Sequence, residues 1–266
     1  MQIQLLIGRS VTRTNGLRRT RPAGAAASLF QAALLVLPLI LLSTSSSSAQ
    51  NPKLYARMGP VDQYLMKDRE AEISLARSAA PPSISNGAKI LILNSQSYVT
   101  AANGTNDFTC LVERSWMAAF DDPQFWNFKI RGPICYNGPA TRSVLPYTFY
   151  RTKLALAGGT KEQIQENVRN AVARKELSQP EVGSMSYMMS KQAYLGDGVD
   201  AWHPHLMFHL PKTEGAVWGA NQAGSPVILY PELPEPETIF MVPLGRWSDG
   251  TLHGAQEHGS TKETHQ

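Results

Sequence analysis

The stretch 202–210 reads Trp-His-Pro-His-Leu-Met-Phe-His-Leu. In an extended chain alternate side chains share a face. His203, His205, Met207 and His209 then fall on one side, and Trp202, Leu206, Phe208 and Leu210 on the other. Two residues along a strand span about 6.5–7 Å, a distance that two imidazoles ligating one metal ion can bridge. Just upstream, Asp197 and Asp200 sit in and beside a Gly-Asp-Gly turn that can bring a carboxylate alongside. Imidazole with carboxylate suits zinc or iron, and imidazole with thioether suits copper. The expected metal set is therefore His203, His205, His209 and Asp200, with a transition metal (zinc, iron or copper) as its cofactor. The same pattern also describes the polar face of an amphipathic strand, with Pro204 marking a sheet edge.

Other chemistry is harder to support. Residues 184–191 read Ser-Met-Ser-Tyr-Met-Met-Ser-Lys. A Ser-x-x-Lys nucleophile would need a serine at 188, where Met188 stands, and no G-x-S-x-G elbow occurs. The methionines of this run read as core filling. Asp121-Asp122 precede Pro123 and read as a turn or a helix start. Residues 116–139 are rich in aromatics, including Trp116, Phe120, Phe125, Trp126, Phe128 and Tyr136. Such a loop either fills core or lines a ligand groove. Trp116, Trp126 and Trp202 are the aromatic candidates for lining one.

The compartment follows from the first 49 residues. Arg9, Arg13, Arg18, Arg19 and Arg21 come first, then an apolar run over 25–42, then a small polar tail ending at Ala49. Basic, apolar and small-polar segments in that order are the signature of a secretory signal peptide. Ser47 and Ala49 suit cleavage before Gln50. The alternative is an uncleaved anchor in the inner membrane at 25–42, which is at the short limit of a membrane span. The chain has 25 Lys and Arg against 21 Asp and Glu, and five of those arginines lie in the leader. Cleavage leaves 20 basic and 21 acidic residues, so the basic balance belongs to the leader. Nucleic acid is excluded as a partner on that ground, since its binding needs a basic patch. An unknown small ligand or an envelope partner remains, with membrane contact only through an uncleaved leader. The two cysteines, Cys110 and Cys135, form an even pair that an oxidising compartment would join as a disulfide.

The elements that must position these groups point to an α+β fold. A helix is expected over 60–79, opened by Pro60 and stopped by Pro81-Pro82. Short apolar runs over 90–93, 98–101 and 108–114 predict an antiparallel meander. A helix over 146–157 ends at Gly158-Gly159. Thr160 with Gln163 forms a capping box, and Ile164, Val168, Ala171 and Val172 make one helical face. These two helices are expected to form a hairpin packed on one face of the sheet, with the N-terminal helix. Strands are expected again over 202–210, 226–230 and 238–244. The domain plan is a signal peptide over 1–49, one globular domain over 50–248 and a polar, disordered tail over 249–266.

Three stretches carry a family resemblance: AEISLARSAAPPS at 71–83, TCLVERSWM at 109–117 and MSYMMSKQAYLGDGVDAWHPHL at 185–206. They resemble an uncharacterised group of exported bacterial proteins. That resemblance implies a bacterial periplasmic or secreted location and carries no activity with it. The functional expectation is a non-catalytic binding module. The alternative is a metal-binding protein or metal-dependent enzyme using the His203/His205 strand.

Overall fold

The structure is a computed structural model, and it describes residues 55–198 and 203–254. The leader, Asp200, Trp202 and the tail from 255 lie outside the described residues. The fold is α+β, as expected, and is built on one eight-stranded sheet. Its strands are β1 (Lys89–Leu93), β2 (Tyr98–Ala102), β3 (Thr109–Glu113), β4 (Gly132–Tyr136), β5 (Met185–Met188), β6 (His205–Pro211), β7 (Ile228–Leu229) and β8 (Glu237–Pro243). They lie in the order β2-β1-β3-β4-β5-β6-β8-β7. The helices are α1 (Arg69–Arg77), α2 (Pro82–Ser85), α3 (Gly138–Ser143), α4 (Leu145–Leu156) and α5 (Lys161–Ala173).

The sheet is not wholly antiparallel. After the β1–β2 hairpin the chain crosses back, and β3 pairs with β1 in parallel through Lys89–Thr109 and Ile90–Cys110. Gly104 makes this return possible. A Cβ there would lie 2.6 Å from the backbone nitrogen of Lys89, so only glycine lets the two backbones approach this closely. The expected meander over the first three strands is thus replaced by a hairpin with a crossover.

The first helix also differs from expectation. Val61–Gln63 make one 3-10 turn, and α1 begins only at Arg69. Asp68 caps it, its carboxylate accepting from the backbone N–H of Glu70 and Ala71 at 2.9 and 3.1 Å. A strong cap at 68 fixes the helix start there. Downstream, α5 opens on the expected capping box of Thr160 and Gln163. Its buried residues Ile164, Val168 and Ala171 are on the expected face.

Both faces of the central strands are covered. On one face Ala76, Ala79 and Ala80, in and just after α1, pack on Ile90, Cys110, Val112 and Cys135. On the other lie α4, α5 and the loop 114–131, around Leu111, Ile134 and Tyr136. Coverage on both sides explains why every residue of β4 is buried. The loop's aromatics are part of that packing. Trp116 is fully buried and donates from Nε1 to Thr152 Oγ1 at 3.0 Å. Trp126 stands edge-on to Phe125, with ring centroids 4.8 Å apart. The segment expected to open the tail is hydrogen-bonded as far as His253, whose N–H donates to the Gly245 carbonyl at 2.9 Å, with a bridge from Arg246 to Leu252.

Cys110 and Cys135 face each other in the β3–β4 register and are joined as a disulfide. The bond encloses the aromatic loop across a sequence separation of 25. Closing a loop of that length stabilises by about 3 kcal/mol in the chain-entropy account. The double variant Cys110→Ala/Cys135→Ala is expected to lose about that much in urea denaturation. A variant as stable as the parent would show that the packing alone holds the loop.

Candidate functional site

The histidine face of β6 is turned inward. His205, Met207 and His209 are buried at 7%, 8% and 4% exposure. Leu206, Phe208 and Leu210 on the opposite face are half-buried. His203 precedes the strand and is exposed, its ring 4.3 Å from that of His253. His205 and His209 therefore share a face, while His203 does not join them. Among the described residues no group of three or more His, Cys, Asp or Glu could hold a metal ion. Asp197 is engaged elsewhere: its carboxylate accepts from Tyr55 at 2.5 Å, from Lys129 at 2.6 Å and from Tyr194. Those three donors, Lys129 first, hold its pKa down at about 2.

The inward face borders a cavity of about 110 Å³ between the sheet and α4. Its floor comes from β4, β5, β6 and β8, and its roof from Tyr147, Thr148 and Arg151 of α4 with Val144 at that helix's N-cap. Residues 113–118 and 230–235 close the sides. Much of the wall is apolar and soft. Met117, Met188, Met207 and Met241 all line it, beside Ile134 and Ile239. Trp116 and Trp126 do not; the aromatic lining comes from Tyr136, Tyr147 and Tyr230.

A buried polar network is set into this wall. Glu113 Oε1 accepts from Tyr136 Oη at 2.7 Å and from Thr148 Oγ1 at 3.1 Å. Arg151, fully buried, reaches Glu235 Oε1 at 3.3 Å and donates to the Ala118 carbonyl at 2.7 Å. Its guanidinium lies 4.3 Å over the Phe120 ring. Three of the network's atoms find no partner among the described residues: Arg151 Nε, Glu235 Oε2 and Ser115 Oγ. Their residues are at most 1% exposed, and all three line the cavity. A buried polar atom left without a hydrogen bond costs about 1–3 kcal/mol, so three together in one cavity wall are a marked feature.

A second chain of contacts runs along the floor, and His209 and Glu237 of it line the cavity. Ser186 Oγ lies 2.9 Å from His209 Nε2, and His209 Nδ1 lies 2.9 Å from Glu237 Oε2. This is the connectivity of a Ser-His-acid triad. A nucleophile must border the space that the reacting atom occupies. Ser186 is fully buried in β5 and is not among the residues that line the cavity. The arrangement fixes the imidazole in place. Sequence reasoning passed over Ser186, Glu237, Arg151 and Glu235. The signal for the last two was the unusual pairing of an arginine inside an apolar helix with an acidic, proline-rich loop.

Burial raises the Glu113 carboxyl above its ordinary value, against the opposing pull of Tyr136, Thr148, Arg151 and His209. Burial likewise raises Glu235 and lowers His205. A carboxyl raised on folding costs stability as pH climbs from about 4.3 toward the folded value. The His205 imidazole works the other way, and its contribution falls away as pH drops below about 6.5. Glu113→Gln removes the first of these costs. Its urea midpoint is expected to match the parent's near pH 4 and to exceed it increasingly up to pH 7. An offset that is the same at every pH would contradict the assignment.

No protein-family model, no curated protein and no solved structure matches the chain.

Proposed function

We propose that this chain is an exported binding protein whose cavity takes a small organic molecule with an apolar body and one polar end. The observation that carries this reading is the trio Arg151 Nε, Glu235 Oε2 and Ser115 Oγ, buried without partners in a wall of methionine and isoleucine. A ligand's polar end gives those atoms partners, and its body covers the apolar wall. Flexible, polarizable methionine suits a surface that adapts to its guest. At about 110 Å³ the cavity is smaller than the one of about 150 Å³ that takes benzene, so it suits a short chain or, with the methionines yielding, a single small ring. The charge balance favours a cation or a neutral donor. Glu113, Asp122, Glu235 and Glu237 line the cavity against the two guanidinium groups of Arg114 and Arg151.

Export is supported by the order of segments in residues 1–49 and by the disulfide, which suits an oxidising compartment. Among the described residues no helix is long and apolar enough to cross a membrane. N-terminal sequencing of the exported protein is expected to begin at Gln50. A chain retained in the membrane with residues 25–42 intact would instead support the anchored alternative.

Three probes of one size test the ligand reading: phenol, benzylamine and benzoate. Calorimetric titration is expected to show saturable binding of phenol and benzylamine, with benzylamine about tenfold or more tighter than benzoate. Val144→Phe fills the roof of the cavity and is expected to abolish binding while the near-ultraviolet circular dichroism is kept. No saturable binding of any probe would overturn the reading, and a preference for benzoate would overturn its charge assignment.

A further inference from the structure

The three unpartnered atoms of the cavity wall differ in what they demand. Arg151 Nε–H can only donate, because a guanidinium has no acceptor. Glu235 Oε2, on the carboxylate paired with that guanidinium, can only accept. Ser115 Oγ can do either. Among the described residues none of the three has a partner, and each residue is at most 1% exposed. The first two flank one ion pair. Arg151 Nη1 meets Glu235 Oε1 at 3.3 Å, and Nε and Oε2 are the adjoining polar atoms of the same two groups. Both groups are held in place. Arg151 donates to the Ala118 carbonyl at 2.7 Å and lies 4.3 Å over the Phe120 ring. Glu235 stands between Pro234 and Pro236, whose rings restrict the backbone. Other polar groups of the wall are spent within the protein. Tyr136 and Thr148 donate to Glu113, Tyr147 donates to the Ser178 carbonyl, and His209 is engaged at both nitrogens. Recognition of a ligand's polar end therefore falls to a donor and an acceptor on one ion pair.

Resting on the reading of this cavity as a binding site, we infer that the polar end of its ligand is a neutral carboxamide, as in a primary amide or a small lactam. In such a group the carbonyl oxygen and an N–H lie side by side and point the same way. The oxygen accepts from Arg151 Nε–H and the N–H donates to Glu235 Oε2, so one planar group meets both demands. An ammonium donates to Glu235 but leaves Arg151 Nε unmet and sets a second cation beside the guanidinium. A carboxylate accepts from Arg151 but turns its other oxygen toward Glu235 Oε2, acceptor against acceptor. Each of these leaves a buried polar atom without its bond. A site built from buried hydrogen-bonding groups rejects the analogue that lacks the matching atom. The amide also adds no charge to an ion pair that is already balanced.

The test is calorimetric titration at neutral pH with isobutyramide, isobutylamine and isobutyrate, which share one branched skeleton and differ at the polar end. Isobutyramide is expected to bind about tenfold or more tighter than either of the others. Isobutylamine or isobutyrate binding as tightly as the amide would overturn the inference. Glu235→Gln keeps the size of the side chain and offers an N–H where Oε2 accepts. In this variant isobutyrate is expected to move ahead of isobutyramide, with the near-ultraviolet circular dichroism kept. A folded variant that keeps the parental order would overturn the role of Oε2. The ranking in the parent protein decides the inference by itself if the variant does not fold. Saturable binding of phenol or benzylamine without an amide preference sinks the carboxamide alone, whereas no binding of any probe sinks the binding reading with it.

Discussion

Arg114 and Glu72 meet inside the protein at 2.7 Å with neither side chain more than 2% exposed. A guanidinium keeps its charge in any protein environment and must have its donors satisfied where it lies. Each nitrogen of Arg114 has a partner: Nε donates to the Tyr64 carbonyl at 2.7 Å, Nη1 to the Val112 carbonyl and Nη2 to Glu72. Glu72 in turn accepts from the backbone of Leu93 at 3.2 Å. One ion pair therefore ties the N-terminal turn, α1, β1 and β3 together. Separating such a pair costs about 3–5 kcal/mol, mostly because it strands a charge. Arg151 is the instructive contrast. It is as deeply buried, yet its Nε and the facing Oε2 of Glu235 have no partners among the described residues. The same physical demand is met in one place and left open in the other, and the open place is the cavity.

The cavity exists because the sheet is covered on both faces and α4 stands off the floor. Thr148 of α4 bridges that gap to Tyr136 and Glu113 of the sheet, and Arg151 reaches Glu235 at the cavity's side. Each bridge places polar atoms where close packing would otherwise put carbon. The Ser186–His209–Glu237 chain does the same along the floor, but with both imidazole nitrogens of His209 engaged. Polar groups here thus have two roles. Satisfied chains fix the geometry, and the unsatisfied trio marks where something else can bind.

Part of this was legible in the sequence. The capping box at Thr160 and Gln163 and the apolar face of α5 are local signals, and they hold. The cysteine pairing also holds, because β3 and β4 bring Cys110 and Cys135 directly opposite each other. Strand alternation in β6 gives the right sidedness for His205, Met207 and His209. It does not reveal that the histidine side faces inward, since burial of a face depends on which strands flank it. β4 is hidden by its opening Gly-Pro and by the absence of alternation in a strand buried on both sides. β5 is four residues long and sits in a run of serine and methionine that has no period. The parallel pairing of β1 with β3 is a matter of chain crossing, to which no local pattern speaks. The unpaired polar trio comes from residues 115, 151 and 235, which only the assembled fold brings together.

The central claim is that the methionine-walled cavity is a binding site and not surplus core. Methyl-labelled methionine reports on it directly, because Met117, Met188, Met207 and Met241 line the cavity and Met58, Met66, Met185 and Met189 do not. In carbon–proton correlation spectra with benzylamine added stepwise, the four lining methyls are expected to shift along one saturation curve while the other four stay in place. Shifts spread evenly over all eight, or none at saturating probe, would contradict the account.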